Sequence, residues 1–273
     1  MKSTFEKLLK LDRRIFFILL TLALIIPIIR PLKLPNKVPA RDVKKIYNFM
    51  ENLPAGSFLL VGIDYDPSTR PELHPQATAV IRHAFKRDIR VCVMYFLPAA
   101  SGIIEELFAE IPLEYSKEYG KDYVILPYQP NYSAVLTQMG TDMYAIYDKD
   151  KDGRDLISMP VMKGIKKFRD MDLVMEFTST DLLDSWVALA SDKFGFKLGG
   201  GVTAVIQPGY GPYLQTGQLV GLLGGMKGGA DYEVLINKPG KGTSGIDALN
   251  IAHFLVLGLI VFSNLMIFML KFL

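Results

Sequence analysis

The stretch FLLVGIDYD, residues 58–66, decides the fold that the sequence predicts. Its first six residues, 58–63, form a continuous apolar run, which is typical of a strand buried on both faces of a parallel sheet. Turn-forming residues follow, and residues 75–86 then carry apolar side chains at helical spacing. A buried strand followed by an amphipathic helix indicates an α/β fold.

The same alternation recurs along the chain. Predicted strands at 91–97, 123–127 and 173–177 are each followed by a predicted helix, at 102–110, 133–139 and 182–194. A further strand is expected at 202–207, and residues 143–147 form another strand or an edge. We therefore predict a Rossmann-like or flavodoxin-like three-layer sandwich, in which helices cover both faces of a mostly parallel sheet.

Hydrophobic segments lie near both ends of the chain. Residues 15–29 and 251–270 contain no Asp, Glu, Lys or Arg. Because a bilayer crossing needs about 20 apolar residues, we predict transmembrane helices at 15–31 and 250–271. The first segment also resembles the apolar core of a signal peptide, but no small-residue cleavage site follows it, so an uncleaved anchor is the preferred interpretation.

These segments divide the chain into a basic tail at 1–14, a proline-rich linker at 32–41 and an α/β domain at 42–248. The basic tail favours a cytoplasmic N-terminus and hence a domain outside the cytoplasm, although basic residues in the linker oppose this bias. The basic excess lies beside the first hydrophobic segment, because residues 1–14 carry +3 and residues 30–45 carry +5, whereas the remainder carries −5, for a total of +3. That distribution suits a lipid bilayer as partner and disfavours nucleic acid, which needs clustered Lys and Arg on the domain.

Polar side chains that follow the predicted strands are the candidate ligand-binding residues, because ligands of such sheets bind beyond the carboxyl ends of the strands. Asp64 needs a partner such as Arg70 or a ligand, since an unpaired carboxylate after an apolar strand is costly. Asp66 is interpreted first as a turn residue. The full candidate set is Asp64, Asp66, Arg70, Tyr95, Gln129, Thr178, Gln207 and Tyr210.

Asp64, Glu176 and His74 are the candidate catalytic residues. If the two carboxylates converge, they form a pair suited to a metal or to a hydrolytic water. The sequence contains no dinucleotide fingerprint, Walker motif or nucleophile elbow, so no cofactor is assigned. Residues 148–155 begin like a calcium loop, but Met159 stands where a Glu or Asp is required, so we favour a solvated turn and assign no metal.

A glycine-rich segment at 213–233 precedes the second hydrophobic segment. Its small residues permit close approach of another backbone, whereas a loose connector is the alternative. Asn264 lies within the predicted second span, where a polar side chain often faces another helix. We therefore name Gly221, Gly225 and Asn264 as candidate assembly residues.

The stretch DYDP at 64–67, the stretch LQTGQLVGLLGG at 214–225 and the two hydrophobic segments resemble a family of prokaryotic membrane-anchored α/β proteins with no established activity. The resemblance implies the same architecture and assigns no catalytic role. The expected function is a non-catalytic binding or assembly component of a membrane complex, acting with other membrane subunits or by self-association. The alternative is a membrane-tethered hydrolase or transferase that uses carboxylates at the strand ends.

Overall fold

The computed structural model describes residues 12–30 and 38–271. The chain forms two compact units, one of residues 37–242 and the other drawn from both terminal regions. The first unit contains a sheet whose strands are β1 Phe58–Asp64, β2 Arg90–Met94, β3 Tyr123–Ile125, β4 Leu173–Thr178, β5 Leu198–Val202 and β6 Leu222–Gly224.

All neighbouring strands are parallel, in the order β3-β2-β1-β4-β5-β6. The prediction of an α/β fold with a parallel sheet is thereby confirmed. The order reverses between β1 and β4, which lie side by side although more than a hundred residues separate them. Such a switch point is where ligands usually bind in open α/β sheets.

The helices alternate with the strands along the chain. They are α1 Arg13–Ile29, α2 Arg41–Glu51, α3 Arg70–Lys86, α4 Ser101–Glu114, α5 Tyr132–Met139, α6 Leu182–Trp186, α7 Asp192–Phe194, α8 Gly211–Thr216, α9 Gly225–Leu235 and α10 Lys241–Leu270. A π-helical turn at Val187–Ser191 joins α6 to α7. The helix predicted at 182–194 is therefore present but irregular.

Side chains alternate between the two faces of the sheet, as the pleat requires. On β1, Leu59 and Val61 enter a core covered by α2, α3, α4 and α9. Phe58 and Leu60 enter a second core with residues of α5 and α6 and of the long loops around them. Each face of the sheet is therefore covered, which explains why β1 reads as a continuous apolar run.

Two predicted strands differ from the structure, and one strand was not predicted. The strand expected at 202–207 lies at Leu198–Val202, and residues Gln207–Tyr210 form a 3₁₀ turn. Residues Met143–Ala145 are also a 3₁₀ turn, and β6 lies inside the glycine-rich segment where no strand was expected. The glycines of β5 are required by packing, since a Cβ at Gly201 would lie 2.2 Å from the ring of Phe177.

Gln76 of α3 joins the second half of the sheet to the helix layer. It is fully buried, and its Nε2 donates to the carbonyl oxygens of Val202 at 3.0 Å and Gly225 at 2.8 Å. Gln76→Leu leaves both carbonyls without this donor, so we expect a loss of about 2 kcal/mol in the free energy of unfolding. Chemical unfolding of the full chain in mild detergent measures it.

The matched control for Gln76→Leu is Gln215→Leu, because Gln215 is exposed on α8. We expect that substitution to change the free energy of unfolding by less than about 0.5 kcal/mol. Equal effects of the two substitutions would show that the two hydrogen bonds of Gln76 contribute nothing to stability.

One helix of the described residues, α10, is long and apolar enough to cross a membrane, since it has 30 residues and contains an 18-residue stretch with a mean hydropathy of 2.3. It begins at Lys241, earlier than the predicted second segment. Helix α1 is apolar but has 17 residues, fewer than the usual crossing of about 20. A second span therefore stays a prediction, and most of the predicted basic tail and proline-rich linker lies outside the described residues.

Candidate functional site

The carboxyl groups of Asp64 and Glu176 meet at the switch point of the sheet. Strands β1 and β4 pair with Gly62 opposite Glu176 and Asp64 opposite Thr178, so both carboxylates extend from the same face. Asp64 Oδ2 and Glu176 Oε1 are buried without a hydrogen-bond partner among the described residues, and burial, followed by the charge of Asp64, raises the pKa of Glu176. We call Asp64 and Glu176 the carboxyl pair.

Each member of the carboxyl pair has further hydrogen-bond donors. Asp64 Oδ1 accepts from the backbone N–H groups of Phe96 at 2.6 Å and Leu97 at 2.8 Å. Glu176 Oε2 accepts from Trp186 Nε1 at 2.8 Å. Two carboxyls can hydrogen-bond only if one retains its proton. Because two N–H donors stabilise Asp64 as a carboxylate, we assign the proton to Glu176.

Burial sets the protonation of the pair. Asp64 is 3 % exposed and Glu176 is completely buried. Burial raises the pKa of Asp64 to about 7, although the N–H groups of Phe96 and Leu97 oppose the shift. Burial, and then the charge of Asp64, raise the pKa of Glu176 well above its ordinary value. The pair therefore holds at least one proton at neutral pH.

Gly62 provides the space that Glu176 occupies. A Cβ at this position would lie 1.9 Å from Glu176 Oε2 and 2.8 Å from Glu176 Cδ. No larger residue fits unless the carboxyl group moves. A glycine inside an apolar strand often marks such a close approach, so Gly62 was a usable sequence signal.

Tyr147 adds a third polar group near the carboxyl pair. Its side chain is fully buried, and its hydroxyl has no hydrogen-bond partner among the described residues. Burial, followed by the charges of Cys92 and Asp64, raises the pKa of Tyr147. Sequence reasoning did not select this residue, because 143–147 was interpreted as a strand or an edge and the position of Tyr147 near Asp64 depends on tertiary packing. Burial also raises the pKa of the Cys92 thiol, as expected for a cysteine inside an apolar strand.

His74 and Arg70 do not join the carboxyl pair. His74 Nδ1 lies 3.2 Å from the hydroxyl of Tyr65, which enters the opposite face of the sheet from Asp64. Arg70 forms an ion pair with Glu106. Of the two partners that the sequence offered for Asp64, Arg70 or a ligand, the structure pairs Arg70 with Glu106 instead, and Asp64 accepts from backbone N–H groups.

Two further candidates stabilise local turns. Asp66 Oδ1 accepts from the backbone N–H of Ser68 at 2.8 Å, and the hydrogen bonds from Ser68 hold the pKa of Asp66 below its usual range. Thr178 Oγ1 accepts from the backbone N–H of Thr180 at 3.1 Å. Both residues lie at strand ends, as expected, but their hydrogen bonds are those of turn formation.

The remaining polar candidates are spread along the sheet edge. Tyr95 packs against Tyr128 with ring centroids 5.9 Å apart, and Gln129 Nε2 lies 3.5 Å from the carbonyl oxygen of Ile146. Tyr210 donates to Asp184 at 2.9 Å, and Gln207 is exposed. Gln129 follows β3 and Gln207 follows β5, four strand spacings or about 19 Å apart. They do not line one small crevice.

The candidate assembly residues have contacts within the chain. Gly221 and Gly225 are buried, and a Cβ at Gly221 would lie 2.4 Å from the carbonyl oxygen of Asp42. Gly225 has a φ of +58°, which favours glycine at the start of α9. Asn264 Nδ2 donates to the carbonyl oxygen of Ile260 at 2.8 Å, one turn earlier in α10. The close approach that both glycines permit is thus intramolecular.

The calcium-like loop is a structural turn. Asp150 Oδ1 accepts from the backbone N–H groups of Asp152 at 2.9 Å and Arg154 at 2.8 Å, and Asp150 Oδ2 accepts from Tyr119 at 2.8 Å. Across residues 12–30 and 38–271, no three His, Cys, Asp or Glu side chains are grouped as ligands for a metal ion.

No family model, curated protein or solved structure matches this chain. Likeness to known proteins therefore assigns neither a family nor a function, and the resemblance inferred from sequence motifs stays a prediction. The fold itself defines the class. In the part of the chain that the structure describes, this is an α/β protein with a six-stranded parallel sheet and one helix that is long and apolar enough to cross a membrane.

Proposed function

We propose that the chain is a membrane-anchored, Rossmann-like binding subunit without catalytic activity of its own, which assembles with other membrane subunits or with a second copy. One observation carries the proposal: the carboxyl pair, the best candidate for acid–base chemistry, is sealed inside the domain, with Glu176 at 0 % and Asp64 at 3 % exposure. A hydrolytic acid and base must reach both water and substrate. A structural role for the pair needs no such access.

The contacts of the carboxyl pair support this structural role. Asp64 holds the backbone that follows β2 through Phe96 and Leu97, and Glu176 holds α6 through Trp186. The pair thus links β1, β4, the β2–α4 connection and the following helix at the point where the strand order reverses. From inside the domain, the carboxyl pair holds together the elements at the carboxyl ends of these strands.

The terminal helices supply the anchor and a surface for assembly. Helix α10 exposes large apolar side chains, including Phe254 at 76 % and Val261 at 65 %, which suit lipid or another span. Phe16 of α1 lies beside α10 along a shallow groove that includes Asn264. In this proposal α1 is a second span, and the basic tail holds the N-terminus in the cytoplasm, so the domain is extracytoplasmic.

A membrane-tethered hydrolase or transferase is the second candidate. The convergence of Asp64 and Glu176 and the raised pKa of each favour it, because perturbed carboxyl pairs are common in active sites. It requires the cover over the pair to open for substrate. His74 does not contribute to such a site, since it lies on the opposite face of the sheet.

Co-purification from native membranes tests the proposed assembly. We expect the tagged full chain, extracted in mild detergent, to retain a reproducible set of membrane proteins or a second copy of itself. Asn264→Leu removes a polar group from the exposed side of α10 and is expected to weaken retention a few-fold. Ile267→Leu in the same helix is the matched control and should leave retention unchanged. Elution of the tagged chain alone, at every detergent concentration tried, would refute the assembly role.

A further inference from the structure

A groove of about 220 Å³ lies in the helix layer on the face of the sheet opposite the carboxyl pair. Its walls come from α3 and α4, and its floor comes from the end of α9 and the segment that follows it. The polar lining residues central to its chemistry are His74, Thr78, Arg82, Glu110, Glu233 and Lys238. We call it the His74 groove.

His74 presents a hydrogen-bond donor to the groove. The Tyr65 hydroxyl is fully buried and lies 3.2 Å from His74 Nδ1, so donation to that nitrogen satisfies the hydroxyl hydrogen. Nε2 then carries the ring hydrogen, and it has no partner among the described residues. Burial, and then the charge of Arg70, lower the pKa of His74 to about 4. This side chain is 7 % exposed and is therefore a neutral donor at physiological pH.

Thr78 gives the groove a second uncommitted polar group. It lies one helical turn after His74 on α3, so both side chains face the same way. Its Oγ1 is sealed from solvent and has no hydrogen-bond partner among the described residues. A molecule in the groove can therefore bond this oxygen only after the Thr78 side chain rotates, and that bond would satisfy a buried polar atom that is otherwise unpaired.

The charges around the groove balance. Its lining includes three cations and three anions, which are Arg82, Lys238, Lys241, Glu106, Glu110 and Glu233. Several are committed to neighbours. Arg82 contacts Glu114 at 2.6 Å, Lys238 pairs with the same carboxylate, and Glu233 accepts from the backbone N–H groups of Gly240 and Gly242. Glu110 is exposed and forms no ion pair among the described residues, so the groove lining includes one uncommitted carboxylate besides the neutral donor of His74.

We propose that the His74 groove binds a small zwitterion of the α-amino acid type. Its ammonium group contacts Glu110, and its carboxylate accepts from His74 Nε2 near Arg82 and Lys238. The equal charges of the lining disfavour a simple anion or a simple cation, since each meets three groups of its own sign. The volume lies below the roughly 300–1,000 Å³ of sites for larger ligands, which selects a small molecule. This site is independent of partner assembly and of the proposed function.

Saturation-transfer NMR on the full chain in detergent micelles tests the proposal, with the proteinogenic amino acids as probes. We expect at least one to bind, with an affinity that calorimetry then measures. Glu110→Gln is expected to weaken that affinity about tenfold, because it removes the partner of the ammonium group. Thr78→Val, which keeps the side-chain shape, is also expected to weaken it. The deaminated and the decarboxylated analogues should each bind more weakly than the amino acid.

Glu105→Gln is the matched control, because Glu105 is exposed on the same helix and does not line the groove. Glu105→Gln should bind the amino acid as tightly as the wild type does. Glu105→Gln and Glu110→Gln should both unfold at the wild-type temperature. Absence of binding by every amino acid would overturn the proposal. So would equal affinities of Glu110→Gln and Glu105→Gln, or equal binding of the deaminated analogue.

Discussion

Replacing Glu176 with alanine is expected to lower the free energy of unfolding by about 3–5 kcal/mol. The substitution removes the carboxyl group to which we assign the shared proton, which leaves Asp64 buried beside no acid, and it removes the acceptor of Trp186 Nε1. It also leaves a cavity at a completely buried position. Chemical unfolding of the full chain in mild detergent measures the loss, and Trp186 is the single tryptophan of the chain and therefore a local fluorescence probe.

Glu176→Gln is the matched variant, because glutamine has the shape of a protonated glutamate and can donate its N–H to Asp64. In the wild type both carboxyl pKa values are raised above the ordinary 3.8 of Asp and 4.5 of Glu. The folded state therefore keeps protons that the unfolded state loses. The two raised pKa values make their full contribution to the free energy of unfolding below about pH 4. This contribution is lost as the pH rises through about 7, by ~1.4 kcal/mol per pH unit for each proton that the folded state retains.

The free energies of unfolding of the two Glu176 variants should therefore distinguish them when the pH is varied. We expect Glu176→Gln to match the wild type near pH 4 and to exceed its stability at pH 8, since residue 176 no longer titrates. Unfolding curves at several pH values measure this difference. If Glu176→Gln destabilises the domain at pH 8 as much as Glu176→Ala does, Glu176 is ionised in the fold and our proton assignment is wrong.

Gly62→Ala is expected to cost about 3 kcal/mol, from overpacking and from the loss of the Trp186–Glu176 hydrogen bond. The new methyl group would lie 1.9 Å from Glu176 Oε2. Strands β1 and β4 are paired at this position, so they cannot separate without breaking the ladder. The same unfolding experiment measures the effect.

Gly102→Ala is the control for Gly62→Ala. Gly102 lies in α4, and no atom lies within 4 Å of its would-be Cβ, so alanine should be neutral or stabilising by up to ~1 kcal/mol. In a Glu176→Ala background the cost of Gly62→Ala should fall sharply, because the clashing carboxyl is gone. An unchanged cost in that background would show that the methyl group meets something other than Glu176.

The first four strands were predictable because each is an apolar run long enough to be read without knowledge of its neighbours. Strands β5 and β6 were misplaced or missed because their residues do not carry that signal. Gly199–Gly201 form a strand only because side chains such as Met175 and Leu183 fill the space above them. Strand β6 has three residues and is defined by its pairing with β5.

The proximity of Asp64 and Glu176 could be predicted, because the carboxyl ends of parallel strands share one edge of the sheet. The residues that surround the carboxyl pair could not. Trp186 and Tyr147 reach the pair from segments whose positions depend on tertiary packing. The pleat predicts that Tyr65 and Asp64 face opposite ways, but the sequence does not show that His74 pairs with Tyr65, so the separation of His74 from Asp64 required the structure.

We propose that the chain assembles with membrane partners or a second copy, and that the carboxyl pair has a structural role. Native mass spectrometry is the most direct test, with the tagged wild type and Glu176→Gln each released from native membranes and compared. We predict that the wild type and Glu176→Gln each form an assembly larger than the 30.5 kDa of a single chain. The two assemblies should contain the same partners. A wild type found only at the mass of one chain would contradict the assembly role and bring the enzymatic alternative to the front.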